Sequence, residues 1–458
     1  MAKTITYVCT ECGCQQLRWH GRCPDCTAWG SLVEEVLRGP LPVTAPSAVP
    51  PPLAVSAAVS ISDIPPGSEP RRESGLGEFD RVLGGGAVPG SAILLAGDPG
   101  VGKSTLIIQV SYALACAGFR TLYVTGEESV QQVRMRGERL RTMHEELWLL
   151  AETELEPILQ HMRLLQPAFV VVDSIQTTFD SAIESVPGSV SQVRNASLRL
   201  IRTAKETGAT VLLIGHVTKE GQIAGPRLLE HMVDVVLELD GDRDFSYRIL
   251  RAVKNRYGPT HELGIFTMGD RGMNEVANPS AAFLQERQLG TPGSAVVAVM
   301  EGTRAMLAEV QALVTPGSTF GAPRRNTTGI DIKRVAHVLA VLEKRCGMQA
   351  LGTHDVFINV PGGLKITEPA TDLAVALAVA SSFRDVPVQA DLVCFGEVGL
   401  TGEIRTVSHA DRRVLEVARQ GFITCLHPPG RLQAGKKSDL RDRPVANLLL
   451  AFDEALRK

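Results

Sequence analysis

The stretch "AILLAGDPGVGKSTLIIQVSYALACA" constrains this chain more than any other. Its apolar start reads as a buried strand, its glycine-rich middle as a tight turn and its long apolar tail as a helix. The turn carries Gly97-x4-Gly102-Lys103-Ser104. A turn of that spacing aims backbone N–H groups at phosphate oxygens, and the helix N-terminus behind it adds positive potential. Lys103 then reaches the β and γ oxygens, and the Ser104 hydroxyl serves Mg²⁺. Gly97, Asp98, Pro99, Gly100, Val101, Gly102, Lys103, Ser104 and Thr105 are the expected cradle. ATP and Mg²⁺ are the expected cofactors.

A nucleotide hydrolase needs more than a cradle. "FVVVDS" ends a buried strand on Asp173, where a carboxylate is costly without a role, and it fits the Mg²⁺-side acid. A helix N-cap is the alternative, which Ser174 serves better. "LYVTGEES" sets Glu127 and Glu128 just past another strand; Glu127 is favoured to orient the attacking water, with Glu128 solvated. His216, after "LLIG", could sense the γ-phosphate or be a structural histidine.

The strand runs "SAILLAG", "TLYVTG", "FVVVDS", "TVLLIG" and "VVLELDG" alternate with longer amphipathic segments, the pattern of an α/β domain with a mainly parallel sheet, over residues 61–279. A second α/β pattern fills 280–458. Its strands are "AVVAVMEG", "LAEVQALV", "HDVFINVPGG" and "DLVCFGEVG", and its helices "IDIKRVAHVLAVLEKRC" and "ATDLAVALAVASSF". Residues 37–60, rich in Pro, Ala, Val and Ser, read as a linker.

Residues 1–36 are a cysteine-rich head. Cys9-x2-Cys12 and Cys23-x2-Cys26 are two CxxC turns separated by ten residues. Each presents two thiolates, and four soft sulfurs favour tetrahedral Zn²⁺, whose binding would fold a head too small for a core of its own. A redox CxxC pair is disfavoured, because no thioredoxin-like βαβ pattern surrounds it. Cys14 and His20 rank below the four. Arg18, Trp19, Arg22 and Trp29 suit contact with DNA or a partner, but packing of the module is the expectation. Cys116, Cys346, Cys394 and Cys425 read as buried apolar residues. Net charge is −3, so any nucleic-acid contact must be a local patch. No apolar run is long enough to span a membrane, and no signal core follows the first lysine, so the expected location is the cytoplasm.

The head, "GDPGVGKST", "YVTGEES", "VVVDSIQT", "GHVTKEGQIAGPRLLEHMVD" and "KNRYG" together resemble, in order and over essentially the whole chain, the RadA (Sms) family of bacterial DNA repair proteins. That resemblance implies a RecA-like ATPase core similar to the DnaB-type replicative helicase. It also implies a homo-hexameric ring, DNA-stimulated ATP hydrolysis, single-stranded DNA binding and promotion of branch migration with the RecA recombinase. The family has Phe where this chain has Tyr257.

The core has no obvious arginine finger in cis. Lys254 and Arg256 of "KNRYGPT" suit a role across a subunit boundary, with the permanent planar charge of Arg256 as the finger and Lys254 beside it. In a ring, the loops at 179–197 and 218–230 would face the channel, with Lys219, Arg227, Gln192 and Arg194 as the expected DNA contacts. "VRMRGERLR" reads as a solvated or subunit-facing helix. From about residue 285 the chain resembles the proteolytic domain of the Lon protease. The serine of that family's Ser–Lys dyad should fall within 368–376, which has none, and Ser381 and Ser382 come too late. The lysine should follow "GEVGLTGEIRTV", where Asp411, Arg412 and Arg413 stand. The expectation is an inactive scaffold that helps build the ring. Lys333, Arg334, Lys344 and Arg345 are candidates for a basic surface on it.

Overall fold

The computed structural model describes residues 4–9, 14–37, 60–63, 71–215, 229–241, 247–260, 262–317, 322–430 and 440–456. By internal contacts the chain forms two units. One comprises Met1–Asp240, Ile249–Thr260 and Met268–Asn274, the other Gly241–Arg248, His261–Thr267 and Glu275–Lys458.

The head is a three-stranded antiparallel ribbon of β1 (Thr4–Cys9), β2 (Gln15–Gln16) and β3 (Leu32–Leu37), with β1 central. After helix α1 (Gly77–Leu83) come β4 (Ala92–Gly97), α2 (Lys103–Cys116), β5 (Thr121–Thr125), α3 (Val130–Leu140), β6 (Leu147–Ala151), α4 (Leu155–Leu165), β7 (Phe169–Asp173), α5 (Val190–Thr207) and β8 (Thr210–Ile214). Then follow β9 (Val235–Asp240), β10 (Tyr247–Asn255), β11 (Leu263–Gly269) and β12 (Gly272–Glu275). The sheet order is β12-β11-β10-β9-β4-β8-β7-β5-β6, with β9 to β6 parallel and β10 antiparallel to β9. Every residue of β4, β5, β7 and β8 is buried, which is why these strands read as continuous apolar runs. Leu94, Val124, Val172 and Leu213 pack with Leu159 of α4 and Leu200 of α5 in one core.

In the second unit the elements are α6 (Pro279–Leu284), β13 (Ser294–Glu301), β14 (Arg304–Pro316), β15 (Arg325–Thr328), α7 (Ile332–Arg345), β16 (His354–Asn359), α8 (Asp372–Arg384), β17 (Leu392–Cys394), β18 (Glu397–Val398), β19 (Ile404–Arg405), α9 (Ala410–Arg419), β20 (Thr424–His427), β21 (Arg441–Pro444) and α10 (Leu448–Ala455). Seven of the strands form a mixed sheet, β15-β16-β14-β13-β17-β20-β21. Helix α8 is apolar all round, and every residue from Asp372 to Ser381 is buried. The strands and helices expected in both α/β regions are present.

Candidate functional site

Strand β4 delivers the chain to the phosphate loop at Gly97, whose φ of +154° leaves no room for a side chain: a Cβ there would lie 2.4 Å from the Leu239 carbonyl. Gly102, at φ +111°, holds a backbone conformation that side chains rarely adopt, with the movable methyl groups of Met273 and Met268 over it. Between them Asp98, Pro99 and Gly100 are exposed and Val101 is buried as an anchor. Helix α2 starts at Lys103 and leaves its first N–H groups facing the loop. The Lys103 ammonium is buried and donates to the carbonyls of Gly97 (2.7 Å) and Asp98 (3.1 Å). Burial lowers its pKa, against the pull of Asp173, Asp98 and Glu127. Ser104 and Thr105 are half-buried in the first turn. Glycines at positive φ, a buried ammonium and free helix N–H groups fit a polyphosphate.

Asp173 closes β7 and is 9% exposed. Its Oδ2 accepts a 2.6 Å hydrogen bond from the phenol of Tyr123, which is fully buried on β5. The burial of the phenol, then the nearby Asp173 charge, push its pKa well up, so it stays a donor. Among the described residues no donor reaches Asp173 Oδ1, an open carboxylate oxygen of the kind a hard cation takes. The N-cap alternative fails, because the next helix begins at Val190 and is capped by Ser189. Ser174, fully buried, instead donates to Glu127 Oε1 at 2.7 Å.

The two glutamates after β5 separate clearly. Glu128 is paired with Arg136 of α3 and keeps a side chain 35% exposed; Arg136 is half-buried, whereas Arg134, Arg139 and Arg141 of the same segment are exposed. Glu127 is exposed and bonded to Ser174. Its segment is interlocked with the turn after β7. The Gly126 N–H donates to the Asp173 carbonyl, and a Cβ on Gly126 would lie 2.1 Å from Thr177 Oγ1, which itself donates to the Ser174 carbonyl.

"KNRYG" closes β10. Asn255 turns inward and donates to the carbonyls of Leu83 (3.2 Å) and Val82 (3.4 Å) at the end of α1, and Arg71 donates to the Tyr257 carbonyl. Lys254 donates to the carbonyls of Glu230 (2.6 Å) and Val233 (2.8 Å). Burial, then the neighbouring Arg256 charge, lower its pKa. Arg256 makes a long 3.4 Å contact with Asp234 and keeps a side chain 57% exposed. Asp234 is buried, and its other oxygen accepts from the Ala92 N–H at the start of β4.

The expected DNA contacts fare unevenly. Gln192 is a correction. It is 1% exposed, and its amide knots the preceding loop by bonds to Asp180, Ile183 and Ser185. The stretch 179–197 is a loop only to residue 189, since α5 begins at Val190, and Arg194 is exposed on that helix. Lys219, Arg227 and His216 lie outside the described residues. Lys333, Lys344 and Arg345 are exposed on α7, but Arg334 is withdrawn into a two-point pair with buried Asp372 at 2.9 and 2.6 Å.

In the head, the sulfurs of Cys9, Cys23 and Cys26 lie within 4.8 Å of one another. Cys12 lies outside the described residues. Three converging thiols, two of them buried in an otherwise minimal core, fit a thiophilic cation. Cys14 packs against the same small core, its carbonyl accepts from the Cys9 N–H at 2.9 Å, and its sulfur accepts from Gln16. The indoles correct an expectation. Trp19 is 59% and Trp29 78% exposed, so they do not pack the module. Cys116 is likewise exposed and Cys346 partly so, whereas Cys394 and Cys425 are buried.

Where a Lon-like dyad would sit, the second unit holds a structural ion pair. Ala370 is fully buried. Arg413, 0% exposed, makes a two-point contact with Glu368 at 2.8 and 2.5 Å and donates to the Ala298 carbonyl. A guanidinium does not deprotonate at any working pH, so it cannot act as a base. Ser381 donates to the Val386 carbonyl and Ser382 accepts from the Val314 N–H.

Tyr123, Asp234 and Asn255 were not singled out from sequence, and Ser174 was named only as a helix N-cap, not as a partner of Glu127. A phenol inside an otherwise apolar strand is a signal, because a buried Tyr O–H needs an acceptor. The other three have none in one dimension.

Three family models match: an AAA domain over residues 78–222, a rubredoxin metal binding domain over 7–34 and subunit ChlI of Mg-chelatase over 328–430. The chain is 49% identical over 439 residues to the DNA repair protein RadA of Bacillus subtilis, covering 95% of each. It is 49% identical over 436 residues to DNA repair protein RadA of Halalkalibacterium halodurans, covering 94% of each. Against DNA repair protein RadA of Listeria monocytogenes the identity is 49% over 420 residues, 92% of this chain and 91% of that one.

Proposed function

The chain belongs to the RadA family of DNA repair proteins, an ATPase with an AAA domain and a zinc-binding head, and from that premise we propose how it works. It acts as a homo-hexameric, DNA-dependent motor. It binds single-stranded and branched DNA and promotes branch migration of recombination intermediates alongside the RecA recombinase. ATP with Mg²⁺ supplies the γ-phosphoryl group that water attacks. Lys103 neutralises the phosphates, Ser104 and Asp173 hold the metal, and Glu127 orients the water. Lys254 and Arg256 of the adjacent copy stabilise the developing charge. Lys219, Arg227 and Arg194 contact the DNA backbone. No proteolysis is expected of the second unit.

One observation carries the reading. Among the described residues, the two cations of "KNRYG" bond to Glu230, Val233 and Asp234 and to nothing in their own phosphate loop, while the Arg256 side chain is largely free in solvent. A guanidinium on a braced turn, 57% exposed and tied in cis only by a long 3.4 Å contact with Asp234, suits a neighbour's phosphates. The test is ATP turnover with and without single-stranded DNA. Stimulation by DNA, abolished in Lys103→Ala, is expected. Turnover indifferent to DNA would overturn the DNA-dependent reading.

A further inference from the structure

The zinc head carries a surface that the nucleotide site does not use. Trp19 and Trp29 are brought together by the pairing of two short segments: Arg22 bridges to Trp29, and the Gly30 N–H donates to the Gly21 carbonyl at 2.9 Å. The benzo edges of both indoles converge over Gly21, reaching within 3.7 and 3.8 Å of where a Cβ would stand. Among the described residues they make no ring contact with each other or with any cation, so their faces stay open. Leu17 beside them is 78% exposed. The surrounding charge is positive. Arg18, His20 and Arg22 are all exposed, and Asp25 is the one acid between residues 15 and 30. The Nε of Arg22 is held by the Thr27 carbonyl at 2.8 Å, which fixes the position of its charge.

We propose that Trp19 and Trp29 form a stacking platform for unpaired bases of single-stranded DNA, with Arg18 and Arg22 on the adjoining phosphates. Two open indoles on a rigid, metal-held hairpin offer what an unstacked base takes: a flat apolar face at small entropic cost. Every base has such a face, so the contact tolerates sequence. A duplex hides its bases, so the platform discriminates single strands from duplex. The cations favour a polyanion over an apolar protein face. The inference rests on the reading that the chain meets single-stranded DNA, and it adds a contact remote in sequence from the phosphate loop.

The chain has three tryptophans, Trp19, Trp29 and Trp148, so the full-length, zinc-loaded protein in a Trp148→Phe background reports on the platform alone. Titration with oligo-dT should quench the fluorescence, while duplex of equal length should not. Trp19→Leu and Trp29→Leu should each weaken oligo-dT binding about tenfold without changing the salt slope, as loss of one stacked base predicts. Trp19→Phe and Trp29→Phe should keep most of the affinity. Arg18→Ala should lower the salt slope instead, by about 0.7. Zinc content and DNA-free turnover should be unchanged in all of them. If the parent protein binds no oligo-dT, the wider DNA-binding reading fails. If it binds without quenching and the Leu variants bind equally well, the platform is refuted. If the Leu variants lose only association with a recombinase filament, the surface docks protein and the proposal is likewise overturned.

Discussion

Glu127 and Glu128 share a backbone turn and differ in their bonds. Arg136 occupies Glu128, whereas Glu127 is exposed and steadied by the buried Ser174 hydroxyl. Glu127→Gln should therefore cut DNA-stimulated kcat by about a hundredfold or more, with nucleotide affinity kept, and Glu128→Gln should not. Steady-state kinetics beside labelled-nucleotide binding would separate the two. Ser174→Ala should have a smaller effect of its own kind. Without the donor that steadies Glu127 the carboxylate is held less firmly, so kcat should fall while nucleotide affinity is kept. An unchanged kcat would show that Ser174 only packs. At this scale the sequence was partly legible. The places of Lys103 at the start of α2 and Asp173 at the end of β7 were readable because their motifs fix their surroundings. The Glu127–Ser174 bond was not, since it joins residues 47 apart that meet only when β5 and β7 pair.

Elements were legible where burial is uniform, and misread where polarity looks alike in loops and on helices. "VSQVRNAS" reads as loop because Ser, Gln, Arg and Asn dominate it, yet it opens α5, with Ser189 as N-cap and Val193 and Ala196 in the core. The same polarity concealed the role of Gln192, which satisfies the loop carbonyls instead of facing solvent. Asp180 anchors the other side of that loop, accepting from the Ala182 N–H (3.0 Å), Asn195 (2.8 Å) and Arg199 (2.9 Å). Burial alone would raise its pKa, but these donors and the Arg199 charge outweigh it and hold the carboxyl below its usual value. The stabilisation is thus present above the unfolded value of about 3.9 and is lost as pH falls through the lower folded value. Asp180→Asn should lower stability at pH 7, and thermal melts down to pH 3 should show a smaller acid-induced loss than in the parent. In the second unit the Arg413–Glu368 pair is the corresponding lock. Glu368→Ala strands a buried guanidinium and should cost about 3–5 kcal/mol, read by denaturant unfolding, with no proteolytic activity gained or lost.

Across the whole molecule, the zinc head, the phosphate-loop core and the Lon-like unit follow one another as the sequence implies, because each carries a local signature. The arrangement among copies proposed above leaves no such signature in one chain. Its support is that, among the described residues, the two cations of "KNRYG" bond to nothing in their own phosphate loop. Asn255 and Arg71 hold the "KNRYG" turn on α1, and Asp234 links its arginine to the strand that feeds the phosphate loop, so the turn is stiff while the Arg256 side chain stays 57% exposed. The central claim, that hydrolysis is completed across a boundary between copies, is tested by mixing two inactive variants. Lys103→Ala lacks its own phosphate contact and keeps the finger; Arg256→Ala lacks the finger and keeps the loop. Each alone should be inactive with single-stranded DNA and ATP, and mixed oligomers should regain turnover at the boundaries where an intact loop meets an intact finger. Verified subunit exchange with no recovered turnover, or an Arg256→Ala protein as active as the parent, would contradict the account.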